Sequence, residues 1–481
     1  MTEFNFREIP EGIRKPSVYM EFNITAANRL LPTNTQKILL IGQKNPEAPQ
    51  LPLQVFDVFS AEQIGISCGF GSLAHRMAKA GIKAFPYASV QMILLDDSEF
   101  ATAKATATIA LTMAEPAIRS GKLTVNIGGD SYVIAVAQND TAIIILDKIE
   151  AAINNDNDAP VLADYDGESN SLLLTMETAG TVAETLLLSA DCDVAGITVT
   201  VPSRFDVSAL VRPNVDDVQA VLDVIFAAGH NILVVPYARE DLLTAVRDHC
   251  DLVSNGIEQR GCVAVYVCND DALATAKTRM QNLNAKRLVG GYLRGQSNWV
   301  GEVAAATAFV LASESDPARP LNGLPLLGIK APPVGGWLSR AEQEDLLHNG
   351  VTPFEVGAGQ KVLIVRMLSG YTVNDIGVPD PSLLDITIIR SLDYIRRACR
   401  ERILLRFPRS KNSANRRRAI RSELLNVLKQ LEVLEIVQNV DANKDFLVVE
   451  EHSTDRTRAN ARIPADVVRG LHVLAGQIDL L

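Results

Sequence analysis

The sequence predicts a multidomain chain of mixed α/β and α+β class. It expects a mainly parallel sheet core with flanking helices, an inserted β-β-α-β-β domain and extended terminal β arms. Three observations predict this. Segments that are apolar on both strand faces alternate with helical patterns, which argues for a parallel sheet covered on both sides. Residues 122–203 interrupt that rhythm with hairpins and carry two basic and 13 acidic residues, a net charge of −11. Each end of the chain alternates apolar residues in a segment too short to bury itself.

The elements follow in chain order. Residues 1–24 contain Phe4, Phe6 and Ile9, are broken by Pro10, Gly12 and Pro16, and need a surface to lie on. QKILLIGQK reads as a buried strand, NPEAPQLP as a loop, and SAEQIGISCGFG as a turn. A helix is expected from about Ser72 to Ala80, closed by Gly81, and SVQMILLDD is another strand. LTVNIGGDSYVIAVAQ reads as a hairpin about Gly128–Gly129–Asp130. Asp140 or Thr141 starts the helix TAIIILDKIEAAINN, and VLADYDGESNSLLLTMETAG is a second hairpin turning at Asp166–Gly167. ITVTV closes this unit or rejoins the core.

From 204 to 315 helix and strand alternate, beginning with a helix capped by Asn214 and ending with WVGEVAAATAFVLAS. A Pro/Gly-rich stretch follows. The capping box Ser339-x-x-Glu342 opens a helix that closes at Gly350. QKVLIVRMLSGYTV reads as a hairpin. SLLDITIIRSLDYIRRACRERILLRF and SANRRRAIRSELLNVLKQLEVLEI are long helices, and DFLVVEEHSTD is a strand. The last residues place Leu474, Ile478 and Leu480 on one side of an extended segment.

The 481 residues are 47% hydrophobic, enough for more than one core without disulfides or a structural metal. The apolar runs Ile143–Leu146 and Leu172–Leu174 fall far short of the ~20 residues that span a bilayer. MTEFNFREIPEG lacks the basic and apolar regions of a secretory signal, so a soluble chain used without that export route is expected. Cys68, Cys192, Cys250, Cys262, Cys268 and Cys399 form no CxxC pair and read as reduced thiols, which fits synthesis in the cytosol.

Catalytic signals are weak. Cys68-Gly69-Phe70-Gly71-Ser72 has GxG before a helix but lacks the third glycine and the acidic partner of a dinucleotide fingerprint, and the Gly-Lys-Ser/Thr of a P-loop. A tight turn explains it. The six histidines form no HxxxH or HxH pair, and Asp96–Asp97 at a strand end suits a turn or cap. No catalytic residue, metal ligand or cofactor is assigned. The basic stretch offers three readings. Residues 382–420 carry 11 basic and three acidic residues, net +8. They could be a solvated helix face, a nucleic-acid stripe, or a docking face for an acidic protein surface. Aromatic interleaving is nearly absent, and the chain's net charge of −11 opposes nucleic acid as a partner.

An ordered series of segments carries a resemblance. IPEGIRKPSVYMEFN with QKILLIGQ, DPARPLNGLPLLGIKAPP, SRAEQEDLLHNGVTPFEV with KVLIVRMLSGYT, LDITIIRSLDYIRRACRERILLRFPRSK and the terminal IPADVVRGLHVLAGQIDLL resemble contractile tail sheath proteins of Mu-like bacteriophages. LTVNIGGDSYVIAVAQNDTAIIILDKIEAAIN is similar to a small domain inserted in many of these sheaths. One departure is visible: the family pattern has an acidic, Gly-containing loop after FPRSK, where this chain has NSANRRRAIR.

The resemblance implies a structural subunit, not an enzyme. Such subunits stack as hexameric rings around a tail tube, with baseplate and tail terminator proteins as further partners. Contraction drives the tube through the host envelope, with no direct contact to nucleic acid and no membrane insertion. The protein would reside in the virion tail, and in the host cytoplasm during assembly. It also implies linking arms at 1–24 and 470–481, carried by Phe4, Phe6, Ile9, Leu474, Ile478 and Leu480. The sheath core would comprise 25–121 and 204–380, with 122–203 an acidic, outward-facing insertion. Residues 381–469 would form a basic domain near the tube, with Arg396, Arg397, Arg400, Arg402, Arg406, Arg409 and Lys411 facing it. Two alternatives stay open: a nucleotide-dependent α/β enzyme using 68–72, and a sheath of a phage-like particle without a genome.

Overall fold

The computed structural model describes residues 14, 15, 18, 20, 31–96, 103–167, 169–268 and 272–480. The chain divides into two compact units, 34–393 with 468–481 and 1–33 with 394–467.

The larger unit begins with β1 (Lys37–Gly42), β2 (Phe56–Asp57), α1 (Ala61–Cys68), α2 (Leu73–Ala84) and β3 (Ser89–Leu94). The stretch 61–68, expected as a turn, is helical. Ser60 caps it by accepting from the Gln63 N–H at 3.1 Å, while Gln63 Oε1 accepts from the Phe59 N–H at 2.9 Å. Gly81 does not end α2, which runs three residues further. A Cβ at Gly81 would lie 2.4 Å from the Phe309 ring, so this glycine sets a close helix–helix approach instead of a stop.

Next come β4 (Lys104–Met113), β5 (Gly121–Ile127), β6 (Asp130–Val136), α3 (Ala142–Asn154), β7 (Val161–Asp164), β8 (Ser171–Ala179), β9 (Leu188–Cys192) and β10 (Ile197–Thr200). They form two antiparallel sheets, ordered β10-β4-β8-β7 and β6-β5-β9. The boundary expected at 122 therefore falls inside this part, because β4 lies before it and pairs with both β8 and β10. ITVTV supplies β10, at the edge of the four-stranded sheet. The apolar side of α3, with Ile145, Leu146, Ile149 and Ile153, joins the same hydrophobic cluster as Ile38 and Leu40 of β1.

The alternation then resumes: α4 (Val215–Ile225), β11 (Ile232–Val234), α5 (Glu240–Val253), β12 (Val263–Val267), α6 (Leu273–Leu283), β13 (Leu288–Tyr292) and α7 (Val300–Ser313). It closes with α8 (Arg340–His348), β14 (Val351–Val356) and β15 (Val362–Ile364). These strands complete an eight-stranded sheet ordered β15-β14-β13-β12-β11-β1-β3-β2. It is parallel from β14 to β3, with an antiparallel strand at each edge.

Successive strand residues feed opposite layers. Ile38, Leu40, Val234 and Val265 pack on the side of α7, while Leu39, Ile41, Leu233 and Tyr266 pack with α4, α5 and α6. The hairpin expected within QKVLIVRMLSGYTV is instead the pair β14–β15. Gly290 and Gly291 keep β13 bare where Tyr266, Met280 and the Phe354 ring press against it.

Helix α9 (Ile386–Arg406) starts in the larger unit, and its later turns belong to the smaller one. There follow α10 (Ala414–Val433), β16 (Val437–Gln438), α11 (Val440–Asn443), β17 (Val448–Glu451), β18 (Ala459–Arg462) and β19 (Asp466–Val467). Its strands make two small antiparallel ribbons, β16–β19 and β17–β18.

Candidate assembly surfaces

The loop 68–72 is consumed by the fold. Gly69 and Gly71 have φ of +92° and +70°, and a Cβ at Gly71 would lie 2.0 Å from the Ala159 carbonyl oxygen. The Gly71 N–H donates to His75 Nδ1 at 3.2 Å, the Leu73 N–H to Thr178 Oγ1 at 3.3 Å, and the His75 N–H to Ser72 Oγ at 3.1 Å. The donors a phosphate would need are already occupied.

Burial holds His75, His230 and His249 near a pKa of about 4, so they are neutral imidazoles at pH 7. Cys250 and Cys262 face each other with sulfurs 4.0 Å apart, and Cys262 and Cys268 share one buried layer. Burial pushes the thiols of Cys68 and Cys399 up to about 11. Asp96 follows β3, and Asp97 lies outside the described residues. Among the described residues no group of three or more His, Cys, Asp or Glu is placed to hold a metal.

The basic stretch separates into two kinds of residue. Arg402 is buried at 4% exposure; its Nη1 lies 3.5 Å from Glu423 and its Nη2 donates to Gln430 at 3.2 Å. This corrects its expected place on a surface stripe: it is an internal tie between α9 and α10. Arg406 shares Glu423 at 3.4 Å and stays partly exposed. Arg397 lies over the Tyr394 ring at 5.7 Å and donates to the Thr33 carbonyl. Arg396 is partly buried, while Arg400, Arg409 and Lys411 are exposed. Arg417 pairs with Glu451 at 2.9 Å, and Arg421 donates to the Leu447 and Lys444 carbonyls at 2.6 and 2.7 Å.

The C-terminal segment is the most exposed apolar stretch described. Leu474, Ile478 and Leu480 are 88%, 99% and 101% exposed, and no strand forms between 468 and 480. Near its start, His472 Nε2 lies 3.5 Å from Asp385 without a hydrogen bond between them, and burial lowers the imidazole's pKa, so the ring stays neutral. Asp385 takes two hydrogen bonds from Arg366 at 2.9 and 2.7 Å. Phe4, Phe6 and Ile9 lie outside the described residues, whereas Val18 and Met20 are exposed.

Residues 213–369 match the phage tail sheath protein central domain, and 378–480 match the phage tail sheath C-terminal domain, together more than half of the chain. The Mu-like prophage FluMu tail sheath protein of Haemophilus influenzae is 27% identical over 498 aligned positions, covering 99% of each chain. This chain belongs to the phage tail sheath family.

The family's solved structures share the fold. The sheath tail protein of Desulfitobacterium hafniense matches with a TM-score of 0.50 at 13% identity, covering 90% of this chain and 93% of its own. The contracted helical sheath of the anti-feeding prophage matches with a TM-score of 0.52 at 11% identity, covering 97% and 99%.

Two features of this family member escaped the sequence reading. One is the ion-pair cluster on Arg76, which reaches Glu302 at 2.6 Å and Asp130 at 2.5 Å. A lone Glu in the otherwise apolar VGEVAAATAFVLAS was the available signal. The other is the Asp385–His472 contact, which joins positions 87 residues apart with no local pattern.

Proposed function

We propose that this chain is the repeating subunit of a contractile tail sheath. It polymerises as stacked hexameric rings around a tail tube and contracts to drive the tube through the host envelope for genome delivery. The observation that carries the reading is the C-terminal segment, which exposes Leu474, Ile478 and Leu480. Exposing large apolar side chains to water is unfavourable by roughly 25 cal/mol per Å2, so the segment gains most by lying on another copy.

The two-stranded ribbon β17–β18 offers free backbone edges for strand addition, in which hydrogen bonds give strength and alternate side chains give register. Phe4, Phe6 and Ile9 would serve the N-terminal arm in the same way. A head-to-tail contact of this kind propagates a ring or a helix. Tethered rigid units can then rotate relative to one another as the sheath shortens.

Arg396, Arg397, Arg400, Arg406, Arg409 and Lys411 are the tube-facing set, with Arg402 supporting them from inside. Residues 122–203 face outward, where their net charge of −11 keeps neighbouring tails apart. Baseplate and tail terminator proteins would cap the two ends. Subunits would assemble in the host cytoplasm and function in the virion tail.

Co-expression with a tail tube protein, followed by electron microscopy, tests the proposal. Sheathed tubes are expected from the parent chain. Bare tubes with soluble monomers at every concentration would refute it.

A further inference from the structure

Helix α5 and strand β12 bring together two cysteines that have no part in the assembly surfaces. Cys250 sits on the buried face of α5, and Cys262 directly precedes β12. Both belong to one hydrophobic layer, at 0% and 1% exposure. Their sulfurs lie 4.0 Å apart, the Cys250 thiol directed at the Cys262 sulfur and the Cys262 thiol at the Val263 carbonyl, 3.9 Å away. A disulfide holds its sulfurs about 2.05 Å apart, so about 2 Å must be closed. Rotation about the two Cα–Cβ bonds moves the sulfurs on that scale.

The other cysteines stand in different places. Cys268 follows the far end of β12, about 20 Å from Cys262 along an extended strand. Cys68 ends α1, Cys192 lies in β9 and Cys399 in α9.

The surroundings distinguish the two thiols. The contact with Cys262 and burial push the Cys250 thiol up, so Cys250 stays protonated at pH 7. Cys262 is among the lining residues of a cavity of about 10 Å3, with Gly229, His230, His249 and Arg260, and Cys250 is not. That volume is room for about one water. Arg287 Nη1 donates to the Cys262 carbonyl at 3.2 Å and shares its charge with Asp393, which sets a cation beside the pair. The turn linking the cysteines exposes Ile257 at 88% and is tied to Cys262 through Ser254 Oγ, which accepts the Cys262 N–H at 3.0 Å. Local opening of that turn admits a small molecule without global unfolding.

We propose that Cys250 and Cys262 form a two-electron redox site, which closes into a disulfide when the chain meets a peroxide and staples α5 to β12. The Cys262 sulfur takes one oxygen of hydrogen peroxide; the O–O bond breaks, water leaves and a sulfenic acid remains. The Cys250 sulfur then attacks the Cys262 sulfur, the S–O bond breaks and a second water leaves with the thiol proton. Two thiols and one hydrogen peroxide thus give one disulfide and two waters, two electrons passing from sulfur to oxygen. The thiols would stay reduced in a cytosol and pair outside it.

Peptide mass mapping of the full chain after hydrogen peroxide at about pH 8, with free thiols alkylated in denaturant, tests this. A linked pair of peptides carrying Cys250 and Cys262, about 2 Da lighter than the reduced pair and released by dithiothreitol, is expected. It should form in urea below the unfolding transition. In Cys250→Ala the reaction should stop at Cys262, where dimedone traps the sulfenic acid. Closing this short loop should raise the melting temperature of the oxidised parent by about 2–5 °C, and dithiothreitol should reverse the rise. Both thiols still free once the half-buried Cys192 has oxidised, a link to a different cysteine, or a link that needs unfolding urea would each overturn the site. No dimedone label on Cys262 would overturn the order of the steps, and an unchanged or lower melting temperature would overturn the staple.

Discussion

Arg76 and Glu302 meet at 2.6 Å, Nε to Oε1, where α2 crosses α7 and both side chains are almost removed from water. The second arm of the guanidinium reaches Asp130, the first residue of β6, at 2.5 Å and the Asp158 carbonyl at 3.1 Å. The far oxygen of Glu302 accepts from Asn298 at 2.6 Å. The two carboxylates outweigh the burial penalty and keep Arg76 firmly charged, with its pKa raised. One arginine thus joins the parallel core to the antiparallel part that interrupts it.

Removing one partner leaves the other charge buried. Arg76→Met is expected to cost about 3–5 kcal/mol in urea unfolding, and Glu302→Gln somewhat less because Asp130 remains. The double variant Arg76→Met/Glu302→Leu should recover part of that loss. A loss below about 1 kcal/mol for Arg76→Met would show that the cluster is not structural.

Gly81 is a second test of the same crossing. Alanine should favour the helix by up to ~1 kcal/mol. Its Cβ, however, would stand 2.4 Å from the Phe309 ring. Gly81→Ala is therefore expected to destabilise by about 1–3 kcal/mol, and Phe309→Leu should relieve it in the double variant. Additive effects in that cycle would contradict the assigned contact.

The arginines of α9 should separate by burial. Arg402→Ala is expected to lower stability by about 2–4 kcal/mol, because Glu423 and Gln430 lose a buried partner. Arg400→Glu and Arg409→Glu sit in water and should change stability by less than about 0.5 kcal/mol while weakening pairing with the tube. Unchanged co-assembly in the charge reversals would remove these residues from the tube-facing set.

Acid should weaken the fold through its histidines. Burial lowers His75, His230 and His249 from 6.5 to about 4. The unfolded chain takes up protons first, so this stability is present above pH 6.5 and is lost as pH falls towards 4. His75 makes the reason concrete: its Nδ1 accepts the Gly71 N–H, which a protonated ring cannot do. The urea midpoint should fall between pH 6.5 and 4, and less steeply in His75→Gln.

Much of the fold could be read from local pattern. Strands apolar on both faces, such as β1 and β12, and capped helices such as α4 and α8 carry their signals within a few residues. The Asn214 and Ser339 capping boxes both form. What escaped depends on distant partners. β4 has an alternating but Ala/Thr-rich sequence, and only its pairing with β8 and β10 makes it a strand. Gly81 looked like a helix stop because nothing nearby in sequence reveals Phe309. Arg402 could not be told from Arg400 until α10 was placed beside it. Leu474, Ile478 and Leu480 were legible as an apolar row, and the fold leaves them in solvent.

The central claim is that this row joins subunits. The most direct test is sedimentation and negative-stain microscopy of the full chain beside a truncation lacking 1–20 and 470–481, with and without a tail tube protein. The account predicts rings or sheathed tubes from the full chain and folded monomers from the truncation. Equal assembly by both would contradict it.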